Sequence, residues 1–122
     1  MRTVKFLGDS LARLKELPDN GRRQLGFNLD RVQRGAEPAD FKPMTSVGAG
    51  VYELRARDNR GAYRVFYIAK LGNAVYVLHT FTKKTQQTAQ GDINIGRARL
   101  TEAIRDANTG STDTAKTTRG QL

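Results

Sequence analysis

Three runs of β-forming residues follow one another so closely that one local topology suits them best. They occupy residues 51–57, 63–69 and 74–82 and are rich in Val, Tyr, Phe, Ile and Thr. Asp58-Asn59-Arg60-Gly61 supplies turn chemistry between the first two, and Leu71-Gly72-Asn73 between the second and third. Connections this short join antiparallel neighbours, so the runs predict an antiparallel meander. Arginines and lysines alternate with apolar residues along it. The pleat is therefore expected to place a basic stripe on one face and an apolar surface on the other.

The flanking segments predict helices. Asp9 or Ser10 can cap a helix over residues 11–17, with Leu11, Ala12 and Leu14 on its apolar side and Pro18 ending it. Asp19-Asn20 offers a second cap. Leu25, Leu29 and Val32 then recur at i, i+4, i+7, and Gly35 is a C-terminal stop. Arg22, Arg23, Arg31 and Arg34 fall off that stripe, as a solvated face does. Residues 3–7 read as a first strand. Residues 36–50 read as a connection, tucked onto the core by Phe41 and Met44. A last helix is expected after Thr88 or Asp92, with Ile93, Leu100, Ile104 and Ala107 inward. The expected fold is α+β: a three-strand antiparallel meander plus an N-terminal strand, two N-terminal helices on one face, and a C-terminal helix. Residues 1–107 form the expected domain. Residues 108–122 have almost no apolar content and read as a disordered polar tail.

Composition narrows the function classes. The chain has 122 residues, enough for one modest core. Its formal charge of +9 argues for association with nucleic acid, an acidic membrane surface or an acidic partner. No apolar run approaches the roughly 20 residues that a membrane-crossing helix needs. The N-terminus lacks the long apolar core of a secretory signal, and there is no cysteine, so a cytoplasmic location is expected. The chain has one histidine, His79, and scattered acidic residues, which argues against a metal or cofactor. Gly48-Ala49-Gly50 lacks the Lys-Ser/Thr of a phosphate loop.

What remains is a basic cluster in the meander. Arg55, Arg57, Arg60, Arg64, Lys70, Lys83 and Lys84 outnumber Glu53 and Asp58. If the register puts Arg55 and Arg64 on one face, two guanidiniums can clamp a phosphate. RNA carries its own nucleophile, the 2′-hydroxyl. A protein that aligns it, neutralises the phosphoryl oxygens and moves two protons can cut the chain. A lysine crowded by cations has a lowered pKa and suits proton transfer. Phosphate binding without catalysis accounts for the same charge pattern. Tyr52, Tyr63, Tyr67 and Tyr76 read as sheet packing with hydroxyls at the rim.

The motifs VGAGVYELR (residues 47–55), GAYRVFY (61–67) and YVLHTFTKKT (76–85), followed by Asp92-Ile93 and RARL (97–100), occur in order. Together they resemble the phage-derived, HigB-type branch of the RelE/ParE toxin superfamily, over roughly residues 4–104. The resemblance implies the toxin of a type II toxin–antitoxin pair. It would be a metal-independent endoribonuclease that cuts mRNA on the ribosome. Its partner would be a helix-turn-helix antitoxin bound in a hetero-oligomer, with no membrane involved. Arg64 and Arg55 match the family's phosphate-stabilising basics, and Lys83 and Lys84 its rim basics. His79 falls in the branch's Leu-His motif. These five are the expected catalytic set, with Arg57, Arg60, Lys42 and Lys70 as nucleic-acid contacts. Two departures stand out. No aromatic residue follows Lys84, where RelE stacks a tyrosine on the message, and Glu53 stands where RelE has lysine. Proton transfer would therefore fall to Lys83, Lys84 or His79. Arg64→Ala is expected to abolish toxicity with the fold intact. The alternatives are a ParE-like DNA gyrase inhibitor and a non-catalytic nucleic-acid-binding module.

Overall fold

The computed structural model describes residues 1–109 and the strand at 115–118. In chain order the elements are β1 (Thr3–Leu7), α1 (Ser10–Glu16), α2 (Asp19–Gln33), β2 (Phe41–Pro43), β3 (Val51–Asp58), β4 (Gly61–Leu71), β5 (Ala74–Lys83), α3 (Gln90–Thr109) and β6 (Ala115–Thr118). The sheet order is β2-β3-β4-β5-β1-β6. The meander β3-β4-β5 is antiparallel, as its short turns require. β1 lies parallel to β5, a crossover that α1, α2 and the first strands span.

Local chemistry explains most boundaries. Asp58 Oδ1 accepts from the backbone N–H of Arg60 (2.8 Å) and Gly61 (3.1 Å), which closes the β3–β4 turn. Gly35 ends α2 at φ +78°, a conformation that costs a side-chain-bearing residue about 1 kcal/mol or more. Asp19 does not cap α2. Pro18 occupies the cap position and Asp19 sits in the first turn, paired with Arg22 at 2.8 Å. Asp9 occupies the cap position of α1, but its carboxylate binds Arg13 (2.7 Å) and Arg99 (3.0 Å) in place of the helix backbone.

Both faces of the sheet are covered. α1 and α2 pack Leu14, Leu25, Leu29 and Val32 against Leu54, Val65, Tyr67, Val75 and Val77. On the other face, α3 and the loop before β3 pack Met44, Val47, Leu100 and Ala103 against Val51, Phe66, Tyr76, Leu78 and Phe81. The expected basic face is therefore only partly open, because α3 packs over the part that carries Phe66, Tyr76 and Leu78. The close approach depends on Gly96: a Cβ there would stand 2.9 Å from Phe66 and 3.0 Å from Val47. The inward stripe of α3 runs through Ala103, since Ile104 is 42% exposed.

Two strands lie where none was predicted. β2, inside the predicted connection, pairs antiparallel with β3. β6 pairs antiparallel with β1 inside the segment read as a disordered tail, and α3 covers residues 108 and 109. The rest of that segment, residues 110–114 and 119–122, lies outside the described residues. No helix among the described residues is long and apolar enough to cross a membrane.

Candidate nucleic-acid interface

The β3–β4 register pairs Arg55 directly with Arg64, so both project from the same face. β2 adds Lys42 opposite Glu53, one row away. On β5 the pairing slips between Phe66–His79 and Tyr67–Val77, leaving Leu78 as an extra residue. That bulge re-phases the strand. His79, Phe81 and Lys83 thereby join the Phe66 and Arg64 face, along with Tyr76 and Leu78 from the other side of the slip. Lys42, Arg55, Arg57, Arg64 and Lys83 thus share one end of the face, beyond the part that α3 covers.

Glu53 sits at the centre of these cations. It is 0% exposed, 3.4 Å from Arg64 Nε and 4.0 Å from Lys42 Nζ. Burial pushes its carboxyl pKa up, and the pull of Arg64, Lys42, Lys83 and Arg55 offsets only part of that. Arg64 is 3% exposed and donates to the carbonyls of Tyr63 (3.0 Å) and Ala56 (3.5 Å). Its side chain still lines a cleft of about 340 Å³ with Asp40, Arg55, Ala56 and Arg57. Lys83 has its pKa lowered, first by desolvation and next by the neighbouring Arg64. A lysine that loses its proton more easily is a better acid than an ordinary one.

Lys83 lines a different cleft, of about 420 Å³, between the end of β5 and the start of α3. Its other walls include Arg13, Lys84, Thr85 and Asp92. Beneath Asp92 lies His79, 0% exposed, stacked on Phe81 with centroids 5.0 Å apart. His79 Nε2 is 2.8 Å from Asp92 Oδ1. Desolvation lowers the His79 pKa despite Asp92, and the cations Arg13 and Arg99 lower it further. The neutral ring then carries its proton on Nε2 and donates it to the carboxylate, leaving Nδ1 buried without a partner.

A depressed histidine pKa has a definite sign. The stabilisation is full above the unfolded value near 6.5 and is lost as pH falls through the folded value. Thermal melts of the wild type are expected to lose stability between pH 7 and 5 more steeply than those of His79→Gln. Parallel pH curves for the two proteins would show that His79 is not held neutral.

The sequence-predicted site residues divide accordingly. Arg55, Arg64, Arg57, Lys42 and Lys83 come together. Lys84 lines the neighbouring cleft. His79 is enclosed beneath that cleft, too deep to touch a bound strand. Arg60 lies at the β3–β4 turn beside Pro18, Asp19 and Asn20. Lys70 lies six residues along β4 from Arg64, roughly 20 Å at 3.3–3.4 Å per residue, beside Arg2 and Tyr67. Asp92 and Arg13 were not singled out as site residues. Asp92 was in view only as part of the Asp92-Ile93 motif and as a helix cap, and nothing local in the sequence ties it to His79. Among the described residues, no group of three or more histidine, aspartate or glutamate side chains is placed to hold a metal ion.

A family model described as phage-derived protein Gp49-like (DUF891) matches residues 12–101. A search of curated proteins finds no match.

Proposed function

The chain belongs to the Gp49-like family of phage-derived proteins, a toxin-like family related to RelE and HigB-type toxins, and from that premise we propose that it is a toxin that cuts ribosome-bound mRNA. The observation that carries this reading is the direct pairing of Arg55 with Arg64, with Lys83 beside them. Cationic donors on adjacent strands can hold a phosphodiester and neutralise the charge that builds on its oxygens. In the reaction the 2′-hydroxyl loses its proton, O2′ bonds to phosphorus and the P–O5′ bond breaks. O5′ takes a proton from Lys83. The products are a 2′,3′-cyclic phosphate and a 5′-hydroxyl. The same cationic end suits the carboxylates of an acidic or helix-turn-helix antitoxin, so bound antitoxin would exclude RNA.

Arg55 and Lys83 are both partly exposed and make suitable probes. Arg55→Ala and Lys83→Ala are each expected to lower cleavage about 100-fold, the usual cost of losing one transition-state donor, with melting temperature little changed. Induction of the wild type should stop translation and create message fragments with 5′-hydroxyl ends. An SOS response with intact message would instead assign the protein to gyrase poisoning.

A further inference from the structure

We propose that Asp92 is the proton acceptor of the cleavage, held in place by His79; the inference rests on the ribonuclease reading above. Two protons must move in opposite directions when RNA is cut by its own 2′-hydroxyl. At the cationic end of the sheet Glu53 is fully buried and held by Arg64, and Asp40, the carboxylate lining that cleft, shares its walls with Arg55, Arg57 and Arg64 but with no lysine to supply the second proton. The cleft between β5 and α3 is different. It brings one carboxylate, Asp92, to the same walls as Lys83, Lys84 and Arg13.

The support beneath Asp92 is what a positioned base needs. A buried imidazole fixes one of its oxygens at 2.8 Å, and the ring is itself stacked on Phe81, which in turn packs edge-on against Phe66. A neutral histidine donates to the carboxylate and holds its orientation. Phe81 is the cross-strand partner of Arg64, and Phe81 and Lys83 line the cleft between β5 and α3, which places that cleft one strand away from Arg64. A phosphodiester lying over Lys83 would then have Arg55 and Arg64 on one side and Asp92 on the other. The ribose hydroxyl gives its proton to Asp92 as O2′ attacks phosphorus. The leaving O5′ takes its proton from Lys83. Exchange with water restores both groups. His79 touches no substrate and is a positioning residue.

The test uses purified full-length protein on ribosomes programmed with a defined message. Asp92→Asn keeps an oxygen for His79 and removes the base. It is expected to lower kcat at least 100-fold with KM within about threefold of wild type. Asp92→Ala serves the same comparison if Asp92→Asn does not fold. A message with sulfur in place of the bridging O5′ needs no proton on its leaving group. It should restore Lys83→Ala and leave Asp92→Asn slow. His79→Gln should lower kcat less than Asp92→Asn and leave KM unchanged. Asp92→Asn cutting within threefold of wild type, or being restored by the sulfur substrate, would overturn the assignment while the ribonuclease reading stood. A wild-type protein that cuts no message would remove both.

Discussion

Arg64→Ala is expected to lose about 3–5 kcal/mol of folding stability, the cost of breaking a buried ion pair from one side. Arg64 and Glu53 are 3% and 0% exposed, with Nε and Oε1 3.4 Å apart. Glu53 accepts no hydrogen bond even with Arg64 in place, so removing the guanidinium takes away its nearest countercharge and leaves Lys42, at 4.0 Å, with Lys83 and Arg55 beyond. Against a typical total of about 5–15 kcal/mol, that loss is large. The expectation that this variant would keep its fold therefore needs correcting. Lost toxicity in Arg64→Ala would not separate chemistry from unfolding. The double variant Arg64→Met/Glu53→Leu removes both charges and is expected to recover most of the stability while remaining inactive. Urea denaturation of both proteins decides the matter. A single variant within 1 kcal/mol of wild type would mean that the pair does not hold the sheet together.

The second large effect is expected at Asp106. Its side chain is wholly buried on α3 and accepts from Lys5 Nζ at 3.0 Å and Tyr76 Oη at 2.6 Å. The contact joins α3 to β1 and β5. The phenol pKa of Tyr76 is raised by burial first and by Asp106 second. Asp106→Ala strands an ammonium and a hydroxyl beside a cavity and is expected to cost about 3 kcal/mol. Tyr76→Phe removes one donor and leaves Lys5 paired, so about 1–2 kcal/mol is expected. Denaturant midpoints for the two variants give the comparison. Equal losses would show that Lys5 contributes nothing to the site.

Legibility in the sequence differed by element and by residue. The turn at Asp58 to Gly61, the stop at Gly35 and the stripe of Leu25, Leu29 and Val32 each act over a few residues, and each is found as read. Ile104 was misplaced because α3 meets the sheet through small residues, and a stripe built on large apolar side chains overlooks Gly96 and Ala103. β2 was missed because three residues containing a proline carry no periodicity of their own; pairing with β3 makes them a strand. Arg55 and Arg64 were singled out from charge, but their shared face needed the register. His79 was singled out as a candidate proton carrier; the structure places it fully buried, with Nε2 2.8 Å from Asp92 Oδ1.

The sequence by itself determined most of the elements, the antiparallel meander and the excess of positive charge, because turns and alternation are set by neighbouring residues. Only the tertiary structure decided which charges meet. A one-residue slip at Leu78 re-phased β5 and brought Lys83 to the face of Arg64. The position of α3 then closed part of that face and left Asp92 on the wall of the cleft beside Lys83. Side-chain direction in a strand depends on pairing with distant strands, and a single inserted residue reverses the parity read from the chain.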